Sequence, residues 1–170
     1  AYERDKAAII EKYNTIGLRD ATIVRDSVYE IDDKHMGIDI YIEQGEEYYF
    51  GEIKWVGNSK YRDGQLDTLI GIEPGDIFNN GLIEQRLFGS QDGRDITSLY
   101  MDRGHLFFNV VPVETSITAG NQINYEMRIN EGKEARIRNI ILKGNTKTND
   151  HVILREIRTK PGDLFNRNDI

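Results

Sequence analysis

Gly57-Asn58-Ser59-Lys60 returns as Gly144-Asn145-Thr146-Lys147, and Pro74-Gly75-Asp76-Ile77-Phe78-Asn79 returns as Pro161-Gly162-Asp163-Leu164-Phe165-Asn166, both at an offset of 87 residues. Working outward, the same register pairs Tyr13 with Tyr100, Gly17 with Gly104, Val24 with Val111, Ile42 with Ile129 and Gly45 with Gly132, without a gap. Matches held in one register along the whole chain mark a duplication. A period of 87 is too long for a solenoid repeat and suits a small domain with its own core. The phase of the repeat predicts three parts: residues 1–47 as the back half of one copy, 48–133 as a complete copy, and 134–170 as the front half of a third.

Local pattern supplies the content of a copy. Phe50, Ile53 and Trp55 stand among Gly51, Glu52 and Lys54 in a first strand that ends at the Gly57-Asn58 turn. Ser59 is expected to cap a following helix, whose face carries Leu66, Leu69 and Ile70 and which Gly71 closes. Pro74-Gly75-Asp76 makes a connecting turn. A second helical stretch with Ile83 and Leu87 breaks at Gly89-Ser90-Gln91-Asp92-Gly93 and resumes with Ile96, Leu99 and Tyr100, to stop at Gly104. The corresponding stretch from Tyr2 to Tyr13 has no glycine and reads as one helix stopped by Gly17. Residues 106–114, rich in aromatic and β-branched types, read as a second strand. After a turn at Ala119-Gly120-Asn121, Ile123, Tyr125, Met127 and Ile129 alternate with polar residues in a third strand with one wet face. Ile38, Ile40 and Ile42 repeat that alternation one copy earlier. The fold class is α+β: tandem β-α-α-β-β units, each a three-stranded sheet with two helices on one face.

Composition narrows the function classes. The net charge is −7 and the isoelectric point is near 5.0, and the basic residues are interleaved with acids. Nucleic-acid binding needs clustered Lys and Arg, which this layout does not offer. No run of about 18 apolar residues is present, so no membrane helix is expected. With no cysteine, the core is held by packing alone. His35, His105 and His151 lack metal-ligand spacing, and Asp92-Gly93-Arg94-Asp95 lacks the ligand series of a calcium loop. Glu46 and Glu47 are adjacent, so on a strand they point apart and do not form a catalytic pair. No Ser or Thr has a base and an orienter, and no glycine run has phosphate-loop form. Catalytic residues, metal sites and cofactors are all expected to be absent, and an enzyme ranks last. Gly57, Asn58, Pro74, Gly75, Gly104, Gly144, Asn145, Pro161 and Gly162 are read as structural turn positions that set backbone angles.

The order strand, Gly-Asn-[Ser/Thr], two helices, Pro-Gly-Asp-x-Phe-Asn, then Leu99-Tyr100-Met101-Asp102-Arg103-Gly104-His105-Leu106-Phe107-Phe108-Asn109-Val110 resembles the POTRA (polypeptide transport-associated) domain, most of all those of the BamA family. His105 departs from the pattern, which commonly has Tyr after the glycine, and so does the Gly89–Gly93 break. In that family, periplasmic POTRA domains precede a membrane β-barrel that assembles other outer-membrane proteins. The resemblance implies a periplasmic location at the outer membrane of a Gram-negative cell. It implies that the second strand lies at a sheet edge, so that Leu106, Phe107, Phe108, Asn109, Val110, Val111 and Val113 form a peptide-binding strand. Pairing there uses main-chain groups and is nearly blind to sequence. The implied partners are unfolded outer-membrane protein precursors and accessory assembly lipoproteins. The alternative is the POTRA region of a secretion or translocation pore that recognises one dedicated exported substrate. Of Phe107 and Phe108, one ring is expected in the core; for the other, packing is favoured over recognition.

Overall fold

A computed structural model describes residues 1–90 and 92–169; Gln91, within the predicted glycine-rich break, lies outside the described residues. The element order is α1 (Tyr2–Asn14), β1 (Thr22–Asp32), β2 (His35–Glu43), β3 (Tyr49–Val56), α2 (Asp63–Ile70), α3 (Asn80–Phe88), α4 (Ile96–Met101), β4 (Asn109–Ile117), β5 (Gln122–Asn130) and α5 (Asp150–Glu156), followed by a short 3-10 turn at Arg167–Asp169. The mixed α+β class expected from the residues is the one observed. One sheet holds β1 and β2; the other has three strands in the order β3-β5-β4.

The chain divides into two compact units, Ala1–Lys54 with Gly71–Glu84 and Val113–Glu126, and Trp55–Ile70 with Gln85–Pro112 and Met127–Ile170. In the first, α1 runs unbroken to Asn14, and the turn that follows ends at the left-handed Gly17, at φ 90°. The β1–β2 hairpin is antiparallel, with register shifts between Ile23 and Arg25 and between Glu30 and Asp32. Phe50, Ile72, Phe78, Ile123 and Tyr125 form the unit's buried centre. Phe50 meets Phe78 with ring centroids 5.2 Å apart and Tyr125 at 6.4 Å.

In the second unit, Trp55, Leu66, Ile70, Leu87, Ile96, Tyr100, Val110, Met127 and Ile129 are buried. The glycine-rich break separates α3 from α4 as expected. Asp95, 1% exposed, caps α4 by accepting from the Ser98 amide at 2.8 Å. The expectation for Ser59 is corrected: α2 starts at Asp63, and the Ser59 amide and hydroxyl both donate to Glu131. A carboxylate at the end of β5 competes for the serine, so Asn58 organises the approach to the helix instead, donating to the Tyr61 carbonyl and to Asp63. Asn145 does the same with Thr148 and Asp150. The first strand expected after Ala135 is also corrected: apart from an isolated bridge between Arg136 and Leu164, residues 135–143 form no strand. A strand needs a neighbour to pair with, and among the described residues none is beside it.

Candidate functional site

The three-stranded sheet has two margins, and they are treated differently. At the start of the β3 margin, around residues 48–50, the backbone is occupied by the Pro74-Gly75-Asp76 turn. The Phe50 amide donates to the Asp76 carbonyl at 2.8 Å, the Gly75 amide to the Phe50 carbonyl at 2.7 Å, and the Phe78 amide to the Tyr48 carbonyl at 2.9 Å. Proline, glycine and aspartate suit this turn: Gly75 takes φ 97°, and Asp76 closes the loop by accepting from the Glu73 amide at 2.8 Å. At the other margin stands β4, with no strand beyond it among the described residues.

The sequence reading of that strand needs moving along the chain. It begins at Asn109 and runs to Ile117, so Leu106, Phe107 and Phe108 precede it. Past Gly104 the chain makes a tight turn: the Leu106 amide donates to the Gly104 carbonyl at 3.0 Å and the Phe108 amide to the His105 carbonyl at 3.0 Å. Backbone groups bound within a turn are unavailable to a ladder, which a β-rich composition does not reveal. One ring lies in the core as expected, but the packing favoured for the other is not seen. Phe108 is buried and stacks on Tyr100 at 4.2 Å, whereas Phe107 is 67% exposed. Of the remaining predicted edge residues, Val110 is buried, Asn109 and Val111 are exposed, and Val113 is half-buried.

Hydrogen-bond phase assigns the outer edge. The Thr118 amide donates to the Gln122 carbonyl at 2.9 Å across the hairpin. In an antiparallel pair the direction alternates residue by residue, so Ser116 and Glu114 turn their amides inward. Val113, Thr115 and Ile117 turn theirs outward. The open face agrees, since Asn124 of β5 donates to the Ser116 hydroxyl at 3.0 Å. Thr115 and Ile117 lay outside the predicted set. The signal that could have found them is the earlier hairpin, whose first strand continues to Asp32. Pro112 is a second missed signal: proline within a strand pattern is confined to edges and bulges. Its position follows Val111, the repeat partner of Val24, where β1 shifts register.

Side chains hold this segment in place. Glu114 accepts from the Tyr125 hydroxyl at 3.0 Å and from Arg19 through both oxygens at 3.1 Å. Burial raises the Tyr125 hydroxyl well above the usual phenol range, and the Glu114 charge adds to that. Among the described residues no group of three or more His, Asp or Glu is placed to hold a metal ion, and no helix is long and apolar enough to cross a membrane. What this site offers chemically is a row of backbone donors and acceptors.

The POTRA family model, described as surface antigen variable number repeat, matches residues 48–132 and 135–170. The chain belongs to the POTRA family. It is 30% identical over 125 residues to the outer membrane protein assembly factor BamA of Neorickettsia risticii (strain Illinois), covering 73% of this chain and 16% of that protein. To the BamA of Nitratidesulfovibrio vulgaris (strain Hildenborough) it is 24% identical, covering 96% of this chain. The chain thus spans 16% and 20% of the length of these relatives. The crystal structure of Haemophilus influenzae BamA POTRA3-5 superposes with a TM-score of 0.68 at 20% identity, over 99% of this chain and 65% of that one. The family model meets the likeness to POTRA domains that the residues carry, the BamA-named relatives meet its finer type, and the solved structure shares the fold.

Proposed function

We propose that this chain is a periplasmic POTRA segment of an outer-membrane β-barrel assembly factor, and that it takes extended stretches of unfolded outer-membrane protein precursors as an added strand on β4. Its copies are residues 1–47, 48–133 and 134–170. Other surfaces scaffold accessory lipoproteins, and the segment performs no catalysis. The observation that carries the reading is the unequal treatment of the two sheet margins: the Pro74 turn occupies the start of the β3 side, while β4 ends the strand order with no such turn bonded to it among the described residues. A factor that handles many precursors needs recognition through main chain rather than side chains, and strand addition provides it. Membership of the POTRA family and the names of the relatives support the assembly role.

Titration of the isotopically labelled protein with a peptide of alternating apolar and polar residues tests the mechanism. Weak binding is expected, on the order of micromolar to millimolar for so small a contact. Amide shifts should centre on Val113, Thr115 and Ile117. Shifts confined to α2, α3 and α4, with β4 silent, would overturn strand addition.

A further inference from the structure

Asn58 donates to the Tyr61 carbonyl at 3.0 Å and so places Tyr61 just ahead of α2. The Tyr61 ring sets an edge on Tyr100, with centroids 4.9 Å apart and planes at 83°, and its hydroxyl donates to the Leu99 carbonyl of α4 at 3.3 Å. Beside it, α2 and α4 bound a cleft of about 350 Å³ lined by Tyr61, Gln65, Thr68, Leu69, Leu99 and Arg103, within the range of ligand pockets. All six residues belong to the second compact unit. Helical spacing puts Leu66, Leu69 and Ile70 on one face of α2, yet only Leu66 and Ile70 are buried. Leu69 and Leu99 stay half-buried, as apolar walls of the cleft.

One charge in the cleft is unmatched. The Arg103 guanidinium lies 5.7 Å over the Tyr61 ring and has no carboxylate partner among the described residues. An adjoining pocket shares Tyr61 and Arg103 and adds Lys60, His105 and Glu134. There the groups are engaged: Lys60 meets Glu134 at 3.2 Å, and His105 bonds the Glu131 carbonyl through Nδ1 at 3.0 Å. Asp102, next to Arg103 in the chain, accepts from Asn168 at 2.6 Å. A guanidinium fork beside apolar walls matches a carboxylate carried next to an apolar group. The repeat separates this lining from the core. At the 87-residue step none of the six recurs: Thr148, Val152, Arg155, Glu156, Lys12 and Ile16 stand in their places. The buried residues keep their character, with Leu66 and Ile70 matched by Ile153 and Ile157, and Tyr100 by Tyr13. The fold therefore does not demand this lining.

We propose that the cleft between α2 and α4 docks a partner segment that presents an aliphatic side chain beside an Asp or Glu. The aliphatic group sits between Leu69 and Leu99, and the carboxylate sits on Arg103. This docking is separate from strand addition on β4 and does not depend on it. Titration of the labelled protein with acetyl-Ala-Leu-Glu-Ala-amide, against the same peptide with Gln for Glu, tests it. The Glu peptide should shift the amides of Gln65, Thr68, Leu69, Leu99 and Arg103 and bind about tenfold more tightly than the Gln peptide. A cation just past α4 also complements the carbonyl end of that helix, and Arg103→Lys keeps that role while losing the fork. It should retain the thermal transition and lose at least about threefold in affinity for the Glu peptide. Should that variant fail to fold, Gln65→Glu keeps an acceptor for the Arg62 amide and sets a competing carboxylate in the cleft, with the same loss expected. Equal affinities for the two peptides, no saturable shift of the cleft amides, or folded variants that bind the Glu peptide as well as the parent would overturn the site. Shifts centred on Val113, Thr115 and Ile117 with the cleft silent would also overturn it, while leaving strand addition standing.

Discussion

Gly57 and its repeat partner Gly144 have nearly the same backbone, φ 93° and 88°, but different surroundings. A Cβ on Gly57 would sit 2.1 Å from the Ile129 carbonyl oxygen, whereas nothing lies within 4 Å of one on Gly144. Alanine at position 144 therefore meets only the left-handed conformational penalty, about 1–2 kcal/mol. At 57 the clash with a strand backbone adds to it, for a total of roughly 3 kcal/mol or more. Urea denaturation of the two variants should separate them, with Gly57→Ala the weaker. Glu131 is a second residue whose neighbours decide its role. Burial alone would raise its carboxyl, but hydrogen bonds from the Ser59 hydroxyl, the Lys60 amide, Tyr100 and the Ser59 amide outweigh that and hold it below the ordinary value of 4.5. A depressed carboxylate contributes stability above that ordinary value and loses it as pH falls through the folded one. Glu131→Gln should cost about 1–2 kcal/mol at neutral pH. The gap to the parent protein should narrow below pH 4.5, as melting curves across acidic pH would record. The turn glycines were legible in sequence from their recurrence; the Ser59–Glu131 bond was not, because its partners are 72 positions apart.

At the scale of the element, β4 shows how far pattern reading goes. The hairpin turn and the strict alternation of β5 were readable, since period-two burial leaves its mark on composition; observed burial follows it, with Ile123, Tyr125, Met127 and Ile129 inside. The start of β4 was misplaced because Leu106, Phe107 and Phe108 have strand-like character and yet spend their backbone groups in the turn after Gly104. The corrected span makes a sharp prediction. Thr115→Pro removes an outward amide and should leave the fold intact while abolishing peptide-induced shifts. Ser116→Pro removes an inward one and should unfold the sheet. Amide spectra of the two variants, with and without peptide, decide the phase. If Ser116→Pro were the folded, binding-dead one, the assignment of inner and outer amides would be reversed.

Across the whole molecule the two joints between copies share a backbone bond, from Tyr48 to Gly17 at 2.9 Å and from Ala135 to Gly104 at 2.7 Å, and differ in side chains. The first adds the Arg19–Glu114 pair, with Arg19 over the Tyr48 and Phe78 rings at 5.4 and 5.5 Å; the second adds Arg167 on Ser98 and Asn168 on Asp102. Position 106, the repeat partner of 19, is Leu, so the ionic clasp belongs to the first joint. A double-mutant cycle of Arg19→Ala and Glu114→Ala should give a coupling of about 0.5–1 kcal/mol, weakened by salt, since the pair is partly exposed. Sequence by itself determined the duplication, its 87-residue step, the order of elements in the middle copy and the turn positions. Recurrence and periodicity are written along the chain and need no knowledge of what touches what. Only the tertiary structure decided which sheet margin stays open, where β4 begins and that the repeated motifs meet at the junctions. Each of those depends on hydrogen bonds between residues far apart in sequence, whose pairing is settled when the backbone groups compete for partners in space.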